Sequence, residues 1–125
     1  MASIWKWLIA LFALVVAAVC ALVLIGWFAS ADARHERAAR ETTLRPLLQG
    51  HASREQVAQA LGLEFEDYSV GSTNRWVLEK RVNIPRVRQA AARYPGLLFH
   101  TTANTMTWLF FDSEGRLQDY YVCAQ

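Results

Sequence analysis

The sequence predicts an α+β protein: one N-terminal transmembrane helix, then short helices packed on a three- to four-stranded antiparallel sheet. Three observations lead there. From Trp7 to Ala31 no residue is charged, and Ser30 is the only polar side chain. Three short segments between Leu44 and Tyr94 carry helix-start and helix-stop residues in the right order. From Leu97 onward, β-branched and aromatic residues alternate with turn residues.

The apolar run comes first. A membrane-spanning helix needs ~20 apolar residues to cross ~30 Å of hydrocarbon. Leu8–Gly26 holds only Leu, Ile, Val, Phe, Ala, one Cys and one Gly. At about −0.3 to −0.6 kcal/mol for each large apolar side chain, insertion is favoured by about 5 kcal/mol, with no charge to oppose it. Trp5 and Trp7 stand at one end, Trp27 and Phe28 at the other, as interfacial anchors do. The lipid bilayer is therefore the first expected partner. Lys6, together with Ala29-Ser30-Ala31 and Ala31-Asp32-Ala33, also fits a cleaved secretion signal. The run exceeds the ~7–15 residues of a signal core, so residues 1–31 are expected to stay as an anchor. A lipobox would need a small residue directly before its cysteine, whereas Val19 precedes Cys20. Lys6 alone precedes the span, while Arg34, Arg37, Arg40 and Arg45 follow it. By the positive-inside bias those arginines favour a cytoplasmic C-terminal domain.

The rest of the chain suffices for one small domain. That part is nearly neutral: of the 13 Lys and Arg only Lys6 lies outside it, and all 11 Asp and Glu lie within. Bulk charge thus disfavours a nucleic-acid-binding protein. Cys20 sits inside the apolar run and Cys123 near the C-terminus, so the two cannot pair with each other. Neither forms a CxxC, and both are expected as buried free thiols.

Residues 32–43 continue in helical chemistry, with Glu36/Arg40 and Arg37/Glu41 at i,i+4 spacing. They read as a solvated stalk whose arginines could meet anionic headgroups. The domain follows over 44–125. Thr43 can cap a short helix over Leu44–Gln49, with Pro46 in its first turn and Gly50 after it. Ser53-Arg54-Glu55-Gln56 is a capping box for a second helix, with Val57, Ala60 and Leu61 as its apolar stripe and Gly62 as its stop. Leu63–Tyr68 and Arg75–Val82 read as strands separated by a Gly71-Ser72-Thr73-Asn74 turn. Asn83 can cap a third helix through Tyr94, ahead of Pro95-Gly96. Leu97–Thr102, Thr105–Phe111 and Arg116–Cys123 are the clearest strands, the last two joined by the hairpin loop Asp112-Ser113-Glu114-Gly115. In Thr105–Phe111, Met106, Trp108 and Phe110 point one way, Thr107, Leu109 and Phe111 the other. Both faces are apolar, so this strand is expected in the middle of the sheet with helices on at least one side. Trp76, Trp108, Phe110 and Tyr121 are expected in the core.

No motif demands an enzyme: GxSxG, HExxH and GxGxxG are all absent. No catalytic residue, metal site or cofactor is expected. His35, His51 and His100 are scattered over the stalk, a loop and a strand. A Cys123–His100 dyad would need both residues in one sheet and an activating environment for the thiol; a terminal thiol packed on the sheet is the expectation. Glu64, Glu66 and Asp67 read as a solvated strand end. The one uneven charge feature is Arg75, Lys80, Arg81, Arg86, Arg88 and Arg93, opposed in their stretch by Glu79 alone. These six are either the wet face of their elements or a patch for anionic lipid, an acidic partner or nucleic acid.

Gly50-His51-Ala52-Ser53-Arg54-Glu55-Gln56-Val57-Ala58-Gln59-Ala60-Leu61-Gly62 resembles the G-x-[ST]-x-x-[EQ]-V-x-x-x-L-G stretch of the BamE/SmpA/OmlA small envelope proteins. Leu109-Phe110-Phe111-Asp112-Ser113-Glu114-Gly115-Arg116-Leu117 resembles that family's closing F-D-x-x-G-x-L hairpin. The resemblance implies two short helices on a three-stranded antiparallel sheet, as in β-lactamase inhibitor proteins. It also implies a non-catalytic interaction domain on the envelope side. Joined to the membrane helix, this leads to the expectation of a bacterial inner-membrane protein with its domain in the periplasm and an envelope protein as partner. This chain departs from the family in lacking the lipobox cysteine, in lacking a proline soon after Leu61-Gly62, and in carrying an extra helix near 83–94.

A second class competes. Ser53–Leu63 also looks like the first helix of a helix-turn-helix, which would make the chain a membrane-tethered regulator with a cytoplasmic domain. That motif requires a recognition helix after a turn of ~3–4 residues. Acidic residues follow here instead.

Overall fold

The computed structural model describes residues 2–124. The chain divides into two compact units, Met1–Asp32 and Ala33–Gln125. Helix α1 (Ala2–Gln49) contributes to both. The second unit continues with α2 (Arg54–Leu61), β1 (Glu66–Asp67), α3 (Arg75–Arg81), α4 (Pro85–Arg93), β2 (Gly96–Thr101), β3 (Thr105–Phe111) and β4 (Leu117–Ala124). The fold class is α+β, with a four-stranded antiparallel sheet in the order β1-β2-β3-β4.

The sheet is covered on both faces, because β3 is apolar on both. Cross-strand partners share a face, and Leu98, Leu109 and Tyr120 align across β2, β3 and β4. This face meets Leu44, Leu47 and Leu48 of α1, Ala52, and Val57 and Leu61 of α2. On the other face Phe99, Trp108 and Tyr121 align. Leu78 of α3 and Val87, Ala90 and Ala91 of α4 pack there with Tyr68. Phe110 and Phe111 are both wholly buried, one on each side.

Local signals set most of these elements. The Ser53 hydroxyl accepts from the Gln56 N–H at 3.3 Å, and the Gln56 side chain accepts from the Ser53 N–H at 2.9 Å. Gly62, at φ 64°, ends α2 in the left-handed conformation. In the β3–β4 loop the Asp112 carboxylate accepts from the N–H groups of Glu114 and Arg116, both at 2.9 Å.

Six readings of the sequence are corrected. Arg75–Val82 is not a strand; helix α3 occupies Arg75–Arg81. Val77, Leu78 and Val82 pack together against the second core. They share one face only at helical spacing, whereas strand alternation would have placed Lys80 on the side of Leu78. Trp76 accordingly lies outside the core, at 47% exposure, with the Arg81 guanidinium over its ring. Leu63–Tyr68 contributes only the two residues of β1 to the sheet. Ile84, not Asn83, stands at the N-cap of α4, and Pro85 at its first position supplies the helical φ there.

The last two corrections concern α1. It does not restart at Thr43, whose hydroxyl donates to the Ala39 carbonyl inside the helix at 3.1 Å. Nor is 32–43 a solvated stalk, since Ala33 and Arg40 are buried. Ala33, Arg40, Leu44, Leu47 and Leu48 repeat at helical spacing, so packing on the sheet carries the helix past Pro46.

Gly96 begins β2 where a side chain would collide. A Cβ there would lie 2.8 Å from the Phe111 Cβ and 2.7 Å from the Arg54 guanidinium. Arg54 can swing away, but Phe111 is held in the core. Gly96→Ala is expected to lower the unfolding free energy by about 1–3 kcal/mol. Urea unfolding of the full chain in mild detergent, followed by tryptophan fluorescence, checks this.

Candidate functional site

Helix α1 contains one stretch long and apolar enough to cross a membrane, and that stretch is unburied. The large apolar side chains from Ile4 to Phe28 stand exposed, Trp7 most of all at 77%. Trp5 and Trp7 flank one end; Trp27 and Phe28 flank the other, edge to face at 5.2 Å. The Ser30 hydroxyl donates to the Gly26 carbonyl at 3.0 Å, so the lone polar side chain of the run is satisfied within the helix. The sequence-predicted span and its aromatic anchors therefore coincide with a bare apolar helix.

The six basic residues do not act alike. Arg75 turns inward and donates to the carbonyls of Tyr68 and Ala91, both at 3.1 Å, tying α3 to α4. It is a strut and leaves the candidate patch. Arg81 covers Trp76, and Arg88 donates to the Glu79 carbonyl at 3.4 Å. Lys80 and Arg93 are exposed. Arg86 donates to the Asp119 carboxylate at 3.2 Å and to the Tyr120 carbonyl at 3.4 Å, and lies over the Tyr121 ring.

Arg86 and Asp119 line a cleft of about 440 Å³. Residues 119–122 of β4 line it, facing Arg37, Glu41 and Arg45 of α1. Arg37 pairs with Glu41 at 3.4 Å. A neighbouring concavity carries Arg86, Gln89 and Arg93 of α4 beside the same Asp119. The arginines that converge are thus Arg37, Arg45, Arg86 and Arg93. Two come from the basic stretch and two from the segment after the span, a grouping the linear sequence does not display.

The sequence reading also missed a polar cluster that seats α1. Arg40 donates to Thr107 at 2.7 Å and to Glu36 at 3.0 Å. The same Glu36 oxygen accepts from Thr102 at 2.9 Å and from Thr105 at 3.1 Å. Burial pushes the Glu36 pKa up, but the hydrogen bonds from Thr102, Thr105 and Asn104 and the charge of Arg40 outweigh it and hold the carboxyl below its ordinary 4.5. The Glu36/Arg40 spacing is visible in the sequence, but the threonines that complete it are distant in the chain.

Cys123 and His100 lie on opposite faces of the sheet. Cys123 pairs with Met106 on the Trp108 side, and His100 pairs with Thr107 on the Leu109 side. The His100 ring hydrogen-bonds the Glu64 carbonyl at 2.7 Å. Burial raises the Cys123 pKa against the opposing effects of a Met106 backbone hydrogen bond and Arg37. That thiol is not activated as a nucleophile. His51 points to the Leu117 carbonyl at 3.2 Å, and His35 is exposed on α1. Among the described residues no three His, Cys, Asp or Glu side chains gather where a metal ion could be held. Glu66 accepts from the Tyr68 hydroxyl, and Asp67 stands 3.7 Å from Arg54. After α2 the chain runs through β1 and a turn, and the next helix begins only at Arg75. That spacing does not fit the short turn of a helix-turn-helix.

No family model, no curated protein and no solved structure matches this chain.

The Glu36 cluster has a pH signature. Its folded pKa lies below that of the unfolded chain, so its stabilisation is complete above about pH 4.5 and is lost as pH falls through the folded value. Glu36→Gln is expected to cost about 2 kcal/mol at pH 7. The gap to the parent protein should narrow as pH falls below about 4.5 and Glu36 takes up its proton, which makes it neutral like glutamine. Thermal unfolding of both proteins between pH 3 and pH 7 checks it.

Proposed function

We propose that this chain is a single-pass protein of a bacterial inner membrane whose α+β domain works by contact rather than catalysis. The observation that carries this reading is the bare apolar helix flanked by aromatic residues. A helix exposed on every side belongs in lipid, where its insertion is worth about 5 kcal/mol. The domain lies in the periplasm and meets an envelope protein there. Anionic headgroups are a second contact for the exposed basic residues beside the sheet.

The periplasmic assignment rests on the likeness to the BamE/SmpA/OmlA proteins. Its two motifs serve as local structure here: one is the capped helix α2, the other the β3–β4 hairpin. The extra helices α3 and α4 cover the second face of the sheet, so this domain departs from a two-helix plan. The arginines after the span weigh toward the opposite orientation under the positive-inside bias.

Orientation is therefore the first test. Alkaline phosphatase and a cytoplasm-only fluorescent protein, each fused after Gln125, are expected to give phosphatase activity without fluorescence. Membranes washed in alkaline carbonate should retain the chain. Fluorescence without phosphatase activity would place the domain in the cytoplasm. Release by carbonate would remove the anchor.

A further inference from the structure

We infer that the cleft between α1 and β4 binds a phosphate group, with the guanidinium groups of Arg37, Arg45 and Arg86 as its donors. The inference rests on the reading of this domain as a contact module and names the chemistry of one contact.

Helix α1 and strand β4 line the cleft, and Arg86 joins them from the first turn of α4. Arg37, Glu41 and Arg45 recur every four residues, so they form one row along α1. By helical geometry that row runs beside the buried residues Arg40 and Leu44, along the seam between helix and sheet. Packing therefore fixes where these cations stand without burying them. Arg37 is 49% and Arg86 57% exposed at the side chain, and Arg45 is exposed.

The carboxylates of the cleft leave most of the donor capacity unused. A guanidinium carries five N–H donors. Arg37 meets Glu41 through Nε alone, at 3.4 Å. Arg86 meets Asp119 through one terminal nitrogen, at 3.2 Å, and the same nitrogen reaches the Tyr120 carbonyl at 3.4 Å. Neither pair is bidentate, and solvent weakens both. Asp119 also accepts from the Tyr120 N–H at 2.8 Å, so part of its charge is engaged by the backbone. Among the described residues Arg45 has no hydrogen bond or ion pair. Glu41 and Asp119 thus hold two guanidiniums in place, and the remaining N–H groups stay open.

Charge and shape select the ligand. Arg93 stands in the adjoining concavity, which shares Arg86 and Asp119 with the cleft. Across both, four arginines meet two carboxylates, an excess of two positive charges. A phosphomonoester carries about −1.5 to −2 charges at pH 7 and offers three acceptor oxygens. Those oxygens diverge, so guanidiniums from α1 and from α4 can each take one. A carboxylate presents two oxygens in one plane and is matched by a single guanidinium. The volume of about 440 Å³ is that of a small-molecule site. Half-buried Leu48, Tyr120 and Tyr121 supply surface for the carbon skeleton of the ester. A lipid headgroup and a soluble phosphate ester present the same group to these arginines.

The test uses the full chain, isotope-labelled at its arginines, in maltoside micelles. Two probes carry the same glycerol phosphomonoester: α-glycerophosphate, which is free, and dihexanoyl phosphatidic acid, which is a lipid. The Nε–H resonances of the arginines report binding residue by residue. Saturable shifts are expected at Arg37, Arg45 and Arg86. Succinate, a dicarboxylate, should bind at least about tenfold more weakly than α-glycerophosphate. Arg45→Gln breaks no contact of the folded chain and should weaken phosphate binding about tenfold. Glu41→Gln removes a competing charge and should strengthen it several-fold. Lys80→Gln, which removes an exposed charge outside the cleft, should change nothing. No saturable binding of either probe at millimolar concentration would overturn the inference. So would equal binding of succinate, or equal weakening by Arg45→Gln and Lys80→Gln. Phosphatidic acid binding at least about tenfold tighter than α-glycerophosphate makes the ligand a lipid headgroup, and comparable affinities make it a soluble ester; both uphold the site. Reporter fusions and carbonate extraction do not depend on this cleft, so a failure here leaves the anchored contact module standing. Loss of the anchor reading would leave α-glycerophosphate binding measurable.

Discussion

Strand β3 has two apolar faces to keep from water, and the arrangement of the domain follows from that. Trp108 and Phe110 on one side and Leu109 and Phe111 on the other are at most 2% exposed. Helices on one face alone would leave half of this surface wet, at a cost of about 1.5–3 kcal/mol for each large side chain. The end of α1 and helix α2 cover the first face. Helices α3 and α4, with Tyr68, cover the second. The strand order places β3 inside the sheet, so its backbone is satisfied on both edges as its side chains are covered on both faces.

Seating α1 on this sheet takes more than apolar contact. Thr105 and Thr107 are fully buried at the start of β3, and a buried hydroxyl without a partner is costly. Glu36 and Arg40 satisfy them from α1, and Thr102 completes the cluster. Arg40 can be 9% exposed because its guanidinium meets a carboxylate and a hydroxyl at once. An arginine that local sequence assigns to solvent thus becomes part of the packing. The next residues along the helix, Arg37 and Glu41, stay near the surface and line the cleft beside β4.

The surface charges follow the same logic. Arg75, which opens the basic stretch in the sequence, is spent on two backbone carbonyls. Arg86 holds the outer edge of β4, and Arg45, remote in sequence, faces the same cleft. What gathers these side chains is the position of α1 and α4 on either side of one sheet edge. Charge density along the chain therefore overstated one part of the patch and missed another.

Whatever depends on neighbours in the chain could be read from the residues alone. The uninterrupted apolar run of α1, the capping box and Gly62 of α2, and the hairpin between β3 and β4 were all legible, because each rests on side-chain solubility or on hydrogen bonds within a few residues. Contacts between residues distant in the chain decided the rest. Arg75–Arg81 is a helix because Val77 and Leu78 reach the core together in that conformation, and strand propensity was outweighed by packing. Helix α1 passes Thr43 and Pro46 because a buried stripe continues beneath them. The candidate site was least legible of all. Arg37, Arg45, Arg86, Arg93 and Asp119 lie far apart in the chain, and only the closing of the sheet and the docking of two helices bring them together.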